Sequence, residues 1–466
     1  MVKTRVAQLA LTMAGLMVLS ATALAQATPP LRPAVTVDGT ASAATEDPAD
    51  STVIDPLAED ASEEATDIKV LAPPPAPDEP AKRRPTRVRP APYAPLGLRA
   101  NVFNVYPSLE MGGVVSTNPR RTAGKNAIDG GVRLRPGLAH QSDWVRHSWS
   151  GEANGEFIRF LDKDNPKTVT GSAKTDFRLD IRRTTHADFN LHYDLSQAEA
   201  GSDEVSTAAL DPRRDHTLGG SAALSHDLGP IETTARLGVE RKLFSDVALA
   251  DGTTENNSDR AYTEPSFSLR GTYKYGALVT PFAEATYAPR FHDDRRDRNG
   301  LKRNSQGVTL RAGFSFDDGA VWSGEVAAKY MVRNYADPAL DTLQTAGLDG
   351  TITWRPSEIA TIALSLGTEL NESTLATSSG TRLWTARLAM TEALRENLDA
   401  RFSLGADIED GEDGTDYTFA TGAGLEYKFN PMFSAAADYS GTFFRGSAAG
   451  DDWDDHRVIA SLIWHY

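Results

Sequence analysis

The stretch "AKTDFRLDIRR" sets the tightest limit on what this chain can fold into. Thr175, Phe177, Leu179 and Ile181 fall on one parity, while Lys174, Asp176, Arg178, Asp180 and Arg182 fall on the other. Successive side chains of a β-strand point to opposite faces, so a strand here has one apolar face and one charged face. "DARFSLGADIED" repeats the pattern, with Ala400, Phe402, Leu404, Ala406 and Ile408 set against Asp399, Arg401, Ser403, Asp407 and Glu409. "TDYTFATGAGLEYKF" does so again, with Tyr417, Phe419, Ala423, Leu425, Tyr427 and Phe429 on one side. No helical stripe of comparable length competes. A face this charged tolerates burial only where water or partner charges reach it.

The breaks between these strands alternate in kind. Tight ones fall near Gln141–Asp143, Thr184–His186, Asp227–Pro230, Tyr275–Ala277, Asp317–Gly319, Arg355–Glu358, Arg395–Asn397 and Asn430–Pro431. Between them lie longer polar loops, among them "EAGSDEVSTAALDPRRD", "SDVALADGTTENNSDR" and "HDDRRDRN". The resulting expectation is all-β: a transmembrane antiparallel up-and-down β-barrel over residues 104–466, of about 18 strands. Sixteen is the alternative, because the hairpin that opens on "VYPSLEMGGVV" is the weakest. Short turns at one end, long loops at the other and an even strand count suit a bilayer, where a sheet must close to pair its edges. Aromatics crowd the tight turns (Trp144, Tyr273, Phe314, Phe316, Trp322, Trp354, Phe429, Phe433 and Trp464), as expected of a girdle at the membrane interface. A soluble propeller or solenoid with a repeat of about 40 residues is the competing architecture. Its blades would be apolar on both faces, unlike these strands.

The start of the chain has a different character. Lys3 and Arg5, an apolar run from Leu9 to Leu19 and the small-residue site Ala23-Leu24-Ala25 have the form of a secretory signal peptide over residues 1–25. Residues 26–103 are read as a disordered spacer: acidic from Asp38 to Asp67, then Pro-rich, then basic at Lys82, Arg83, Arg84, Arg87 and Arg89. The sharper alternative is a segment that docks on a periplasmic partner or a polyanion, or acts at the periplasmic mouth of the barrel. The chain has no cysteine, which rules out disulfides and thiol chemistry. Its net charge of -16 makes nucleic acid a poor partner.

The signal peptide, Pro-rich spacer and repeated hairpins resemble the putative beta-barrel porin-2 family of Gram-negative outer-membrane proteins. The resemblance covers about residues 100–466 and rests on pattern rather than on a diagnostic motif. It implies residence in the outer membrane, among its lipid and lipopolysaccharide. Association of some members with exopolysaccharide export makes polysaccharide secretion an implied alternative. The ending "HRVIASLIWHY", with Leu462, Trp464 and Tyr466 on the apolar parity, resembles the C-terminal signal read by the barrel-assembly machinery.

If the apolar parity faces lipid, the other parity lines the lumen. Its expected members are Arg133, Arg135, Lys174, Asp176, Arg178, Asp180, Arg182, Arg236, Glu240, Arg270, Arg311, Asp399, Arg401, Asp407, Glu426 and Lys428. A barrel of 16–18 strands leaves an aqueous channel wide enough to hydrate such a set. The mixed signs suit a transverse field or a stiffening ladder of ion pairs, and not a one-signed filter. The leading expectation is a porin-like channel for small hydrophilic solutes. A polysaccharide conduit and a structural or adhesive barrel are the alternatives. No catalytic, cofactor or metal motif is read: His147 lacks an evident Ser partner, "HDDRRDRN" reads as a solvated charged loop, and the acidic loops lack the order of a calcium site.

Overall fold

A computed structural model describes residues 92–466 apart from 125–126, 199–208, 275–277, 374–377, 413 and 449. The expected signal peptide, nearly all of the spacer and the turn at 275–277 lie outside the described residues. Eighteen long strands make the wall: β1 (Phe103–Ser116), β2 (Asp129–Ser142), β3 (Ser148–Phe160), β4 (Thr168–Arg182), β5 (Thr185–Gln197), β6 (Arg214–Leu228), β7 (Ile231–Phe244), β8 (Tyr262–Tyr273), β9 (Val279–His292), β10 (Ser305–Asp317), β11 (Trp322–Tyr335), β12 (Leu343–Trp354), β13 (Ala360–Glu372), β14 (Gly380–Arg395), β15 (Leu398–Asp410), β16 (Thr415–Asn430), β17 (Phe433–Arg445) and β18 (Trp453–His465). Each pairs antiparallel with the next, and β18 returns to β1 with Leu462 opposite Met111 and Trp464 opposite Leu109. The sheet therefore closes as an up-and-down barrel of 18 strands. The weak first hairpin is a full member of it, Phe103 to Ser116 pairing with Ser142 to Asp129.

Turn chemistry sets the short end. Gly229, at φ 67°, and Pro230 alone join β6 to β7, and Pro431 and Met432 alone join β16 to β17. At the β10–β11 turn the Asp318 carboxylate accepts the backbone N–H groups of Ala320, Val321 and Trp322 at 2.7–2.9 Å. Those bonds, led by the one from Ala320, hold the Asp318 carboxyl below the usual range. Beside it Trp322 and Trp354 stack with ring centroids 5.3 Å apart, so the expected aromatic girdle forms across strands.

The apolar parity faces outward and stays uncovered. Leu191, Leu218, Leu237 and Leu462 are each about three-fifths exposed (62%, 58%, 63% and 65%), and large aliphatics and aromatics from nearly every strand join them. An apolar belt of this extent marks a membrane surface rather than a soluble one.

Two local features were not visible in the alternation. A one-residue register shift between Asp180 and Arg182 puts a bulge at the turn end of β4. Leu98–Ala100 forms a short strand that folds back on Phe103–Val105 through Asn101 at φ 56°. It extends the closing seam past the end of β18.

The charged segment 292–299 is mostly exposed, as read from sequence, but Asp297 within it and Arg303 just beyond it are buried. Arg303 and Asp297 form a fully buried ion pair at 2.8 Å, and Arg303 also donates to the Ser378 carbonyl at 2.9 Å. Arg298 reaches over to the β7–β8 loop and binds Asp259 at 2.7 Å and Glu255 at 3.1 Å. Burial pushes the Asp259 carboxyl up, but Arg298 pulls harder and holds it below the usual range. The clamp is thus complete above about pH 4, the unfolded carboxylate value, and is lost only as pH falls through the depressed value. Arg298→Ala should expose loops 245–261 and 293–304 to protease at neutral pH while the barrel's unfolding temperature stays put. Unchanged nicking would count against the clamp.

Candidate functional site

The charged parity is the concave one, and its ion pairs prove it geometrically. Arg270 on β8 binds Glu325 on β11 through both terminal nitrogens, at 3.1 and 2.7 Å. Neighbouring strands lie about 4.8 Å apart, so these backbones are about 14 Å apart along the wall. Side chains on a convex face diverge and could not meet over that span. Arg333 on β11 likewise reaches Glu264 on β8 at 2.9 Å, and Arg401 on β15 reaches Asp438 on β17 at 3.1 Å.

The densest cluster spans β8 to β12. Arg311 lies 3.1 Å from both Glu284 and Glu325, and Asp349 comes within 2.9 Å of its Nε as an ion contact rather than an aligned hydrogen bond. Arg270 lies over the Phe282 ring at 3.6 Å and also contacts Glu284 at 3.7 Å. Two cations thus share three carboxylates. Nearer the long loops, Arg290 and Arg333 share Glu264, and Arg290 sits 4.0 Å over Tyr262.

The expected lumen residues fall into three environments. Arg133 is locked between Glu110 at 2.7 Å and Glu156 at 2.6 Å, with Arg135 at 3.9 Å from Glu110. Arg401 bridges Glu426 at 3.1 Å and Asp438, Lys428 pairs with Asp399, and Asp407 pairs with Arg387. On β4 the chemistry is looser. Lys174 leaves its own strand to pair with Glu152 at 2.9 Å, Arg178 contacts Asp180 at 3.1 Å and Asp188 at 3.8 Å, and Asp176 accepts from Asn190 at 2.9 Å. Arg182, beyond the bulge, joins no ion pair among the described residues, nor do Arg236 and Glu240. Along the row 174–182 only Arg178–Asp180 pairs within the strand, and the other contacts run to neighbouring strands. Lys174 and Arg178 keep 55% and 47% of their side-chain surface exposed although the wall closes around them.

Sequence reading missed Glu110, Glu156, Glu264, Glu284, Glu325, Arg333 and Asp349 as partners. Parity alone would have placed several of them: Glu264 lies three two-residue steps from Arg270 on β8, and Glu325 lies four from Arg333 on β11. Which charges meet depends on closure, which no local pattern encodes.

Candidate chemistry elsewhere is structural. His147 accepts the Asp180 backbone N–H at 3.2 Å. Ser434 lies 3.3 Å from His465, but it is 1% exposed and donates to Glu426 at 2.8 Å, so it is no accessible nucleophile. Of the three residues read from sequence as an assembly signal, Leu462 and Trp464 sit on the closing strand and Tyr466 directly follows it. Leu462 is exposed on the apolar face, Trp464 is opposite Leu109 and Phe433, and the Tyr466 N–H donates to the Pro107 carbonyl at 3.1 Å.

A closed wall, apolar outside and charged inside, defines a membrane-spanning barrel of porin type. The family model "Putative beta-barrel porin 2" matches residues 91–466, and the chain belongs to that family of porin-like outer-membrane barrels. No curated protein matches the chain. Among solved structures, OpdK of Pseudomonas aeruginosa is 11% identical with a TM-score of 0.36, over 78% of this chain and 99% of that one. The anion-selective porin of Comamonas acidovorans is 8% identical with a TM-score of 0.34, over 78% and 99%. A bacterial polysaccharide outer membrane secretin is 11% identical with a TM-score of 0.29, over 77% and 98%. No solute is carried over from any of them.

Proposed function

We propose that the protein is a passive outer-membrane channel for small hydrophilic solutes, with no catalytic step. Its concave face lines a water-filled passage with fifteen of the sixteen lumen residues expected from sequence; Arg182, beyond the bulge, is set opposite Thr185 on the convex parity instead. The observation that carries this reading is the exposure of Lys174 and Arg178 inside a closed wall. Charges left half-open there need water, because dry burial costs several kcal/mol per unpaired ion. The balanced pairs around Arg270 and Arg311 support weak charge selectivity rather than a one-signed filter. The short turns and the N-terminal segment belong on the periplasmic side, and the long loops on the cell surface.

Liposome swelling with sugars of graded size tests the reading. Uptake that is fast for monosaccharides and falls steeply with size is expected. A barrel that folds in liposomes yet admits none of them would favour a conduit that opens only with partners, or a structural role.

A further inference from the structure

One seam of the wall is half-open. β12 and β13 pair only from Gly350–Leu366 to Trp354–Ile362, the half nearest the short turns. Toward the long loops, Leu343–Asp349 and Gly367–Glu372 do not pair with each other, although β12 remains zipped to β11 and β13 to β14. The upper part of β13 has slipped inward and overlaps the concave face of β12. Thr368 and Leu370 belong to the lipid parity of β13, yet they are buried (1% and 8% exposed), as are Leu343 and Thr345 on the concave face of β12. Gly347 makes the overlap possible, since a Cβ there would lie 2.0 Å from Thr368 Oγ1.

Side chains replace the missing ladder. Thr368 Oγ1 donates to the Leu348 carbonyl at 3.0 Å, and Lys329 crosses from β11 to the Thr368 carbonyl at 2.8 Å. From β14, Arg382 Nε donates to the Gln344 carbonyl at 2.9 Å, and Trp384 Nε1 approaches the Ala346 carbonyl at 3.4 Å. Both span the strand that has withdrawn. In the bilayer, strand-edge carbonyls need such substitutes.

The sequence also fits the alternative. Continuing the observed register by two-residue steps sets Leu348 opposite Thr368 and Ala346 opposite Leu370. That arrangement would keep Leu348, Ala346 and Leu370 toward lipid, and Asp349, Glu369 and Asn371 toward the lumen, as the alternation requires. Nothing in β13 itself breaks the pattern.

We infer that the long-loop half of the β12–β13 seam is a gate with two arrangements. In the overlapped one β13 occupies part of the lumen; in the zipped one it returns to the wall and the lumen widens. The widening rests on the channel reading, whereas the movement of the seam does not.

The chain has no cysteine, so disulfide trapping is clean. A346C/L370C places two thiols opposite each other only in the zipped arrangement. T351C/S365C, opposite each other in the part already paired, serves as the control. Under mild oxidant both pairs should bridge in folded barrels, since trapping accumulates even a state populated at about 1%. Adding Gly347→Ala, which crowds Thr368, should speed bridging of A346C/L370C. In planar bilayers the bridged form should conduct about twofold more than the reduced form, as expected if the gate controls the open population. If the control bridges and A346C/L370C does not, with or without Gly347→Ala, the seam is fixed and the proposal fails. Bridging with equal, non-zero conductance would remove the gating role. A barrel silent in both forms would fail the channel reading instead, with the crosslink still deciding whether the seam moves.

Discussion

Replacing Leu462, Trp464 and Tyr466 together by alanine should reduce folded barrel in the outer membrane by at least about tenfold, with unassembled chain lost to proteolysis. Leu462 and Trp464 lie on β18, and Tyr466 directly follows it; this is the strand that must find β1 before any edge is protected. Until that seam forms, both edges present unpaired backbone to lipid, at several kcal/mol per group. Trp464 stands between Leu109 and Phe433 at the turn end, and Leu462 between Met111 and Ala435. Losing them removes the side chains that fix the closing register and, on our reading, the address recognised by the assembly machinery. The two contributions separate in vitro. If the triple variant refolds into detergent or lipid as efficiently as the parent but fails in cells, recognition dominates. Equal failure in both points to the seam, and normal assembly in cells would sink the assembly-signal assignment.

The second large effect comes from two adjacent residues at one depth. Leu237 is near the middle of β7, 63% exposed on the convex face, between Ala222 and Phe267. Leu237→Arg puts a cation in hydrocarbon and should destabilise the barrel in lipid vesicles by about 2–4 kcal/mol. Arg236→Ala removes a cation from the opposite face at the same depth and should cost less than about 1 kcal/mol, since Arg236 joins no ion pair among the described residues. Urea unfolding in vesicles measures both. Comparable costs for the two, or a larger one for Arg236, would mean that the faces are assigned the wrong way round.

Much of this architecture is legible because each strand repeats one instruction. Alternation in "AKTDFRLDIRR" fixes the faces, and Gly229-Pro230 and Asn430-Pro431 fix where the chain reverses. Eighteen segments that cannot hide a charged face leave closure as the only general solution. What escapes local reading is what closure creates. Arg270 and Glu325 are 55 residues and three strands apart, and only the curvature of the wall brings them together. The Arg303–Asp297 pair stands in a loop whose composition reads as solvent-exposed, and its burial comes from the neighbouring loops. The β12–β13 seam is the clearest case. Ile362, Leu364, Leu366, Thr368 and Leu370 alternate without a fault, so the sequence of β13 describes the zipped wall while the fold displays the overlapped one.

The most direct test of the account is charge modification from inside the pore. Cysteines are placed singly at Asp176, Phe177 and Arg178 in the cysteine-free chain, and a small anionic, water-soluble thiol reagent is added during single-channel recording. Modification at positions 176 and 178 should proceed readily and change both conductance and ion selectivity, while the neighbour at 177 should be inert and silent. Equal reactivity at all three positions, a response confined to 177, or modification at 176 and 178 that leaves the current untouched would contradict a conducting lumen lined by the charged parity.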